Sequence, residues 1–437
     1  MKIPNLVNKQ CLILFVFLYL SMFTVSGQTS IQKIFDMPEK SGGVNYAYPS
    51  QSICSKTPAS EGYKPFYISH FGRHGSRYLI DDNEYKHSLD IFHKADSCNA
   101  LTTLGKDVYL RLKTIWQEAE GHGGELSLLG ISQQKEIAER MYKQYPEVFT
   151  GNTQVSAVST TTERCIRSME IFCRRLMELK PDLSVSQDSD LRHMDYLNYH
   201  TQQAVQFRYA TNTWKKKYNQ FEKEHVRSDR MMQTLFSDKD YLKKKVNEDA
   251  LMRELYNIAS SVQNMQTEVS LYDLFEMEEL FDLWQCKNYS QYVEYANASE
   301  NNGIMMENAK PLLKNIIDSA NYIIDAKRKG VNLRFGHDGN IIPLAMLMHL
   351  QDCYNSVSNS SEFYKAWSNF KVAPMAGNIQ IVFFRKEGSD DILVKFLLNE
   401  NEILVPPVKS NIEPYYHWCD LVKFYDSLLS DFIKYTD

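Results

Sequence analysis

A short segment of the chain combines a histidine with two arginines. Arg73 and Arg77 lie four residues apart and flank His74. Guanidinium groups supply planar, bidentate donors that match phosphate oxygens, and they do not lose their charge. Positive charge on both sides disfavours the imidazolium form of His74, so one ring nitrogen stays unprotonated and can attack phosphorus. The segment therefore predicts phosphoryl transfer with His74 as the nucleophile.

Other residues, far along the chain, could complete this chemistry. Arg164 would add a third guanidinium and His337 a further donor to phosphate. Asp338 follows His337 and is the only carboxylate of its loop, so it is the candidate that protonates the leaving oxygen. Because a general acid must be protonated when the leaving group departs, the highest activity is predicted below neutral pH. A carbonyl near Gly75 could accept the other imidazole proton and so fix the tautomer.

Each of these residues also has an interpretation without catalysis. Residues 73–77 could form a solvated surface turn, Arg164 could lie on a solvated helix face, and Asp338 could cap the helix that follows it. The catalytic interpretation is favoured because the matching distant segments would otherwise need separate explanations. For His70, on the strand before the site, packing in the core is the favoured interpretation.

Strands that alternate with helices must position these residues. Runs of β-branched and aromatic residues predict strands at 64–72, 154–160, 331–336, 379–386 and 392–399. Helical spacing of apolar residues predicts helices at 132–145, 162–179 and 311–329. Such a mixture indicates a layered α/β sheet flanked by helices. In these sheets ligands bind beyond the carboxyl ends of the strands, where the candidate residues follow three of the predicted strands.

The middle third of the chain has a different character. Residues 190–320 are rich in Lys, Glu, Tyr, Met and Leu at helical spacing and have hardly any β-branched runs. This segment is predicted to be a mainly helical cap, inserted between two parts of the α/β core, residues 28–189 and 321–437. The lysine runs 215–217 and 243–245 are interpreted as a solvated helix face rather than a polyanion site, because acidic residues are interleaved nearby.

The first residues are typical of a secretory signal peptide, assigned to residues 1–27. Lys2 and Lys9 precede an apolar run that is shorter than the roughly 20 residues needed to span a bilayer. No later segment is apolar enough for a membrane span, so a secreted or periplasmic protein is predicted. The net charge of −5 argues against general nucleic-acid binding. Seven cysteines remain after cleavage, at irregular spacings that predict at least one free thiol and no zinc site.

The motifs resemble those of the histidine acid phosphatases, the branch of the histidine phosphatase superfamily that includes phytases, glucose-1-phosphatases and multiple inositol polyphosphate phosphatases. The matching segments are RHGSR at 73–77, Leu126, Ser127, Gly130 and Gln133, the arginine segment 159–168, GHD at 336–338, and PMAGN at 374–378. The resemblance implies His74 as nucleophile, Asp338 as proton donor, and Arg73, Arg77, Arg164 and His337 in the phosphate pocket. The pair Arg77–Tyr78 is similar to the multiple inositol polyphosphate phosphatases, which usually carry His-Ala-Glu where this chain has residues 337–339.

The expected function is therefore that of an exported phosphomonoesterase acting on small phosphorylated metabolites, with inositol polyphosphates as the expected substrates. A broad-specificity acid phosphatase and a sugar-phosphate phosphatase are the alternatives within this class. Phosphoglycerate-mutase-like transfer is disfavoured by export, and a periplasmic protein that only binds phosphorylated ligands has no need of both His74 and Asp338. No metal or other cofactor is predicted, because arginines supply the charge that a metal ion supplies elsewhere. No protein partner is predicted either.

Overall fold

A mixed β-sheet organises the protein. The computed structural model describes residues 29–49 and 56–430, so the predicted signal peptide and Cys54 lie outside the described residues. Within these ranges the chain forms an eight-stranded sheet. In chain order the strands are β1 (Tyr63–Arg73), β2 (Gln154–Ser159), β3 (Ser184–Asp188), β4 (Gly330–Gly336), β5 (Asn378–Lys386), β6 (Ile392–Leu398), β7 (Asn401–Ile403) and β8 (Tyr415–His417).

The sheet brings distant strand ends to one edge. Its order is β3-β2-β4-β1-β5-β6-β7, with β8 paired to β6. Strands β1 to β4 are mutually parallel, whereas β5 is antiparallel to β1. The register places Arg73 beside Gly336 and Gly72 beside Asn378. The carboxyl ends of β1, β2 and β4 and the start of β5 therefore share an edge.

Helices cover both faces of the sheet. The α-helices are α1 (Ser30–Asp36), α2 (Asn83–Ser97), α3 (Thr103–Ala119), α4 (Leu128–Gln144), α5 (Glu163–Leu179), α6 (Met194–Leu197), α7 (Gln202–Tyr209), α8 (Trp214–His225), α9 (Asp229–Leu235), α10 (Lys239–Lys245), α11 (Glu248–Val262), α12 (Met277–Tyr295), α13 (Lys310–Asp325), α14 (Asp338–Leu347), α15 (Phe363–Ala366), α16 (Asn369–Val372) and α17 (Trp418–Ser430). Short 3-10 helices span Pro38–Asn45, Pro146–Phe149, Leu191–His193, Tyr272–Leu274, Ser299–Asn301, Ile304–Ala309 and Ser360–Glu362. None of the described helices is long and apolar enough to cross a membrane.

The alternation of side chains along the strands produces two apolar layers. Val382 belongs to a core formed with α4 and α5, and its neighbour Phe383 belongs to the core on the opposite face, which includes α13 and α14. Burying one such side chain stabilises a fold by roughly 1.5–3 kcal/mol. The predicted layered α/β class is confirmed. Strand β3 was not predicted, because its sequence SVSQD is half exposed at the sheet edge and has no apolar run.

The segment between β3 and β4 is helical. No strand is assigned between residues 189 and 329, all of which the structure describes. Helices α2 and α3 precede β2 in the chain, yet they pack against this helical segment: the Thr102 N–H donates to the Leu235 carbonyl at 3.0 Å, and the Ser237 N–H donates to the Ala100 carbonyl at 2.8 Å. The division into core and cap with boundaries at 189 and 321 stays a prediction.

Candidate active site

His74 lies at the carboxyl end of β1 and is held by its backbone on both sides. Its N–H donates to the Gly336 carbonyl at 3.0 Å, and its own carbonyl accepts from the Ala376 N–H at 2.9 Å. Its Nδ1 lies 2.9 Å from the Gly75 carbonyl. A carbonyl only accepts hydrogen bonds, so Nδ1 carries the proton and Nε2 keeps its lone pair.

Two glycines allow this turn to form. A Cβ on Gly75 would lie 2.5 Å from the Gly130 carbonyl oxygen, and a Cβ on Gly130 would lie 2.2 Å from the Ser76 carbonyl oxygen. Backbone atoms cannot yield as a flexible side chain can. The Gly75 N–H donates to Ser168 Oγ at 3.2 Å, and the Ser76 N–H donates to Gln133 Oε1 at 2.9 Å. The turn after His74 is therefore held between α4 and α5.

Arg73 is almost completely buried, with 1% of its surface exposed. Its Nη1 donates to the carbonyls of Val44 and Ala373, and its Nη2 lies 3.7 Å from Asp338 Oδ2. Its backbone carbonyl accepts from Gln134 Nε2 at 3.1 Å. These contacts fix the orientation of the Arg73 guanidinium group, which the backbone of β1 alone would not fix.

The three arginines have unused donors. Arg77 Nη1 donates to the Tyr78 carbonyl at 2.6 Å. The Nε atoms of Arg73, Arg77 and Arg164 are buried without a hydrogen-bond partner among the described residues. An unmet buried donor costs about 1–3 kcal/mol, and more when it is charged. Donors of this kind suit an anion with several oxygens.

His337 and Asp338 lie where β4 runs into α14. The His337 ring centroid is 5.7 Å from that of His74, and its Nε2 is 3.3 Å from the hydroxyl oxygens of both Thr160 and Thr162. Its N–H donates to Asn340 Oδ1 at 3.1 Å. The side chain of Asp338 is 31% exposed, so its carboxyl can reach a bound molecule.

The electrostatics of the site follow from this crowding of cations. Burial lowers the pKa of His74 well below its ordinary value of 6.5, and the charges of Arg73 and Arg77 lower it further. Burial also lowers the pKa of His337 to about 4. Burial alone would raise the pKa of Asp338, but the positive charge of Arg73, with that of Arg77, outweighs it, so the pKa lies below 3.8. Both imidazoles are therefore neutral, and the carboxyl is ionised, in the free protein near neutral pH.

The structure brings together the six residues selected from the sequence: Arg73, His74, Arg77, Arg164, His337 and Asp338. Four further residues form hydrogen bonds with these six and were not singled out: Gln134, Thr160, Thr162 and Ser168. The last three lie in the quoted segment 159–168. His70 lies in the core between Phe172 and Phe335, at ring-centroid distances of 5.2 and 5.4 Å. Its interpretation as a packed residue is confirmed.

Comparisons with known proteins place the fold and the family. The solved structure of the Bifidobacterium longum multiple inositol polyphosphate phosphatase in complex with inositol hexasulfate is 17% identical, with a TM-score of 0.74, and the match covers 89% of this chain and 97% of that one. The phytase from D. castellii is 15% identical with a TM-score of 0.66, covering 90% and 85%. The Hafnia alvei phytase in complex with myo-inositol hexakis sulphate is 13% identical with a TM-score of 0.53, covering 85% and 98%.

No protein of curated function matches the sequence significantly. The model of the histidine phosphatase superfamily (branch 2) matches residues 72–399 of the 437. These limits enclose every candidate site residue, from Arg73 to Asp338. The chain belongs to branch 2 of the histidine phosphatase superfamily, and it is a hydrolase of phosphoric monoesters.

Proposed function

We propose that this protein is an exported phosphatase that removes phosphate from small polyphosphorylated metabolites, inositol polyphosphates first among them, through a phosphohistidine on His74. The observation that carries the proposal is the state of the His74 ring. Nδ1 is committed to the Gly75 carbonyl, and Nε2 is left with a free lone pair among three arginines. A nucleophile that stays neutral beside fixed positive charge suits attack on an anionic phosphoryl group.

In the first step His74 Nε2 attacks phosphorus and the bond to the leaving oxygen breaks. Arg73, Arg77 and Arg164 hold the phosphoryl oxygens, and the neutral His337 ring donates one further hydrogen bond. Asp338 gives its proton to the leaving oxygen, so an alcohol departs. Because nearby negative charge raises the pKa of a carboxyl, the arriving phosphate favours the protonated form of Asp338 that the free protein lacks near neutral pH.

In the second step water replaces the imidazole on phosphorus. Asp338, now a carboxylate, accepts a proton from the attacking water, and His74 departs as the neutral imidazole that it was at the start. Inorganic phosphate then leaves the arginines. The two steps return every group to its original protonation state, so His74 and Asp338 suffice for turnover.

The substrate class is the finer part of the proposal. Two of the similar structures hold sulfated inositols, a chemistry close to that of inositol phosphates. The side chain of Asp338 is 31% exposed, and Tyr295 at the end of α12 packs beside the next residue, Gly339. A ring-shaped leaving group would lie beside these residues. If residues 1–27 direct export, the enzyme would encounter such substrates outside the cell.

The test is to trap the intermediate. Inositol hexakisphosphate labelled in its phosphate groups is mixed with the enzyme. The reaction is quenched with a denaturant at alkaline pH, where phosphohistidine persists. Label should appear on the wild type and be absent from His74→Ala, whose turnover should fall to a trace. A folded His74→Ala protein that keeps turning over would show that the nucleophile is another residue. His70→Ala is the matched control, because its ring lies on the same strand but in the core.

A further inference from the structure

Tyr295 lies directly beside the loop that carries the proton donor. It is the last residue of α12. A Cβ on Gly339 would lie 3.0 Å from Tyr295 Cε1, so the ring is packed against the backbone next to Asp338. A second contact from the helical segment holds the same part of the chain, the start of α14, because Asn340 Nδ2 donates to Asn198 Oδ1 at 3.0 Å. Tyr295 is therefore one of the side chains of the helical segment that lie next to the proposed proton donor.

Arg208, at the end of α7, lies on this ring. Its guanidinium carbon is 5.0 Å from the centroid of the Tyr295 ring, a cation–π distance. No hydrogen bond or ion pair within 4 Å engages this guanidinium among the described residues, unlike the many arginines of the protein that are paired with carboxylates. Half-buried and unpaired, it keeps its fork of donors for another group.

Arg208 has charged side chains of both signs near it. Lys215 Nζ lies 5.8 Å from the ring centroid of Tyr209, the residue next to Arg208, and so adds a second positive charge. Glu294, the neighbour of Tyr295, carries the opposing charge. Burial raises the pKa of Glu294, and the charges of Arg208 and Lys215 lower it. Removing the carboxylate of Glu294 would therefore leave a more positive surface.

We propose that Arg208, held on the ring of Tyr295, binds a second phosphate group of the substrate while the first lies among Arg73, Arg77 and Arg164. This inference rests on the proposed function and names the side chain that makes the site selective for polyphosphates. A guanidinium binds phosphate through two parallel hydrogen bonds, and the contact with the Tyr295 ring holds it beside the site. Simple monophosphates carry no second phosphate and gain nothing from Arg208.

The measurement is the ratio of kcat/KM for inositol hexakisphosphate to kcat/KM for phenyl phosphate. Arg208→Ala should lower this ratio about tenfold or more, the range of hydrogen bonds to a charged group. Glu294→Gln should raise it about two- to fivefold, as expected for the loss of one partly solvated opposing charge. The matched control is Lys216→Ala, which removes a positive charge from an exposed position nearby on α8 and should leave the ratio unchanged.

The outcomes separate the inference from the proposed function. A wild type that prefers phenyl phosphate and barely hydrolyses the hexakisphosphate would refute the proposed substrate class, and the inference with it. A wild type that hydrolyses the hexakisphosphate while Arg208→Ala and Glu294→Gln keep its ratio would overturn the inference alone. Opposite shifts of the two variants would support it, because damage to the fold cannot raise the ratio in one and lower it in the other.

Discussion

His70 makes the stability of this protein sensitive to acid, even though the proposed reaction favours acidic pH. The side chain is 1% exposed, packed between Phe172 and Phe335, and its Nδ1 has no hydrogen-bond partner among the described residues. Burial lowers the pKa of His70 from 6.5 to about 3, and the charge of Arg334 contributes to this. The folded protein therefore holds the ring neutral, whereas the unfolded chain protonates it near pH 6.5.

The sign and size of the effect follow by linkage. Below pH 6.5 the unfolded state binds a proton that the folded state does not, so the free energy of unfolding falls as pH falls, until about pH 3. Each unit of pH in this window corresponds to about 1.36 kcal/mol. Between about pH 7.5 and about pH 5 the protein should lose about 2 kcal/mol through His70 alone.

Denaturant unfolding at these two pH values, on wild type and His70→Leu, isolates this contribution from those of other buried histidines. On acidification the free energy of unfolding of His70→Leu should fall by about 2 kcal/mol less than that of the wild type. His87→Gln is the control, because the His87 side chain is 65% exposed, and its difference from wild type should stay within about 0.5 kcal/mol. Equal losses in wild type and His70→Leu would show that the ring is not held neutral by burial, and the reasoning would be wrong.

Other predictions concern the site. Asp338→Asn should slow hydrolysis of alkyl phosphates about 10²–10⁴-fold and aryl phosphates much less, and equal losses on nitrophenyl and inositol esters would mean that Asp338 only positions the phosphate. Gly75→Ala should lower kcat/KM about 10²-fold or more, because the new methyl group meets the Gly130 carbonyl at 2.5 Å and displaces His74; near-normal kinetics would contradict this. The kcat/KM of the wild type should show no loss near pH 6.5 attributable to protonation of His74, whose pKa lies well below that value; an acid limb centred there would be evidence against a neutral, buried nucleophile. Activity should survive a chelator, and a loss restored by one added metal would reverse the prediction.

Much of the fold could be predicted because its signals are local. The five predicted strands agree with β1, β2, β4, β5 and β6 to within one residue at each end, since each contains several β-branched or aromatic residues between turn residues. Strand β3, half exposed at the sheet edge, has no such run, and it pairs with β2 through backbone bonds that any residue can make. The helices α2 and α3 were likewise not predicted, and their packing partners around Leu235 are more than a hundred residues away.

The sequence by itself determined which chemical groups the site contains, because an arginine fork, an imidazole and a carboxyl are properties of residue types. Only the tertiary structure decided how they are used. Arg73 is oriented by the carbonyls of Val44 and Ala373, which lie 29 and 300 residues away in the chain. Arg208 is brought to Tyr295 in the same way, by packing between separate helices. Hydrogen bonds between such distant segments depend on sheet register and helix packing, and these are set by the whole core rather than by any local pattern.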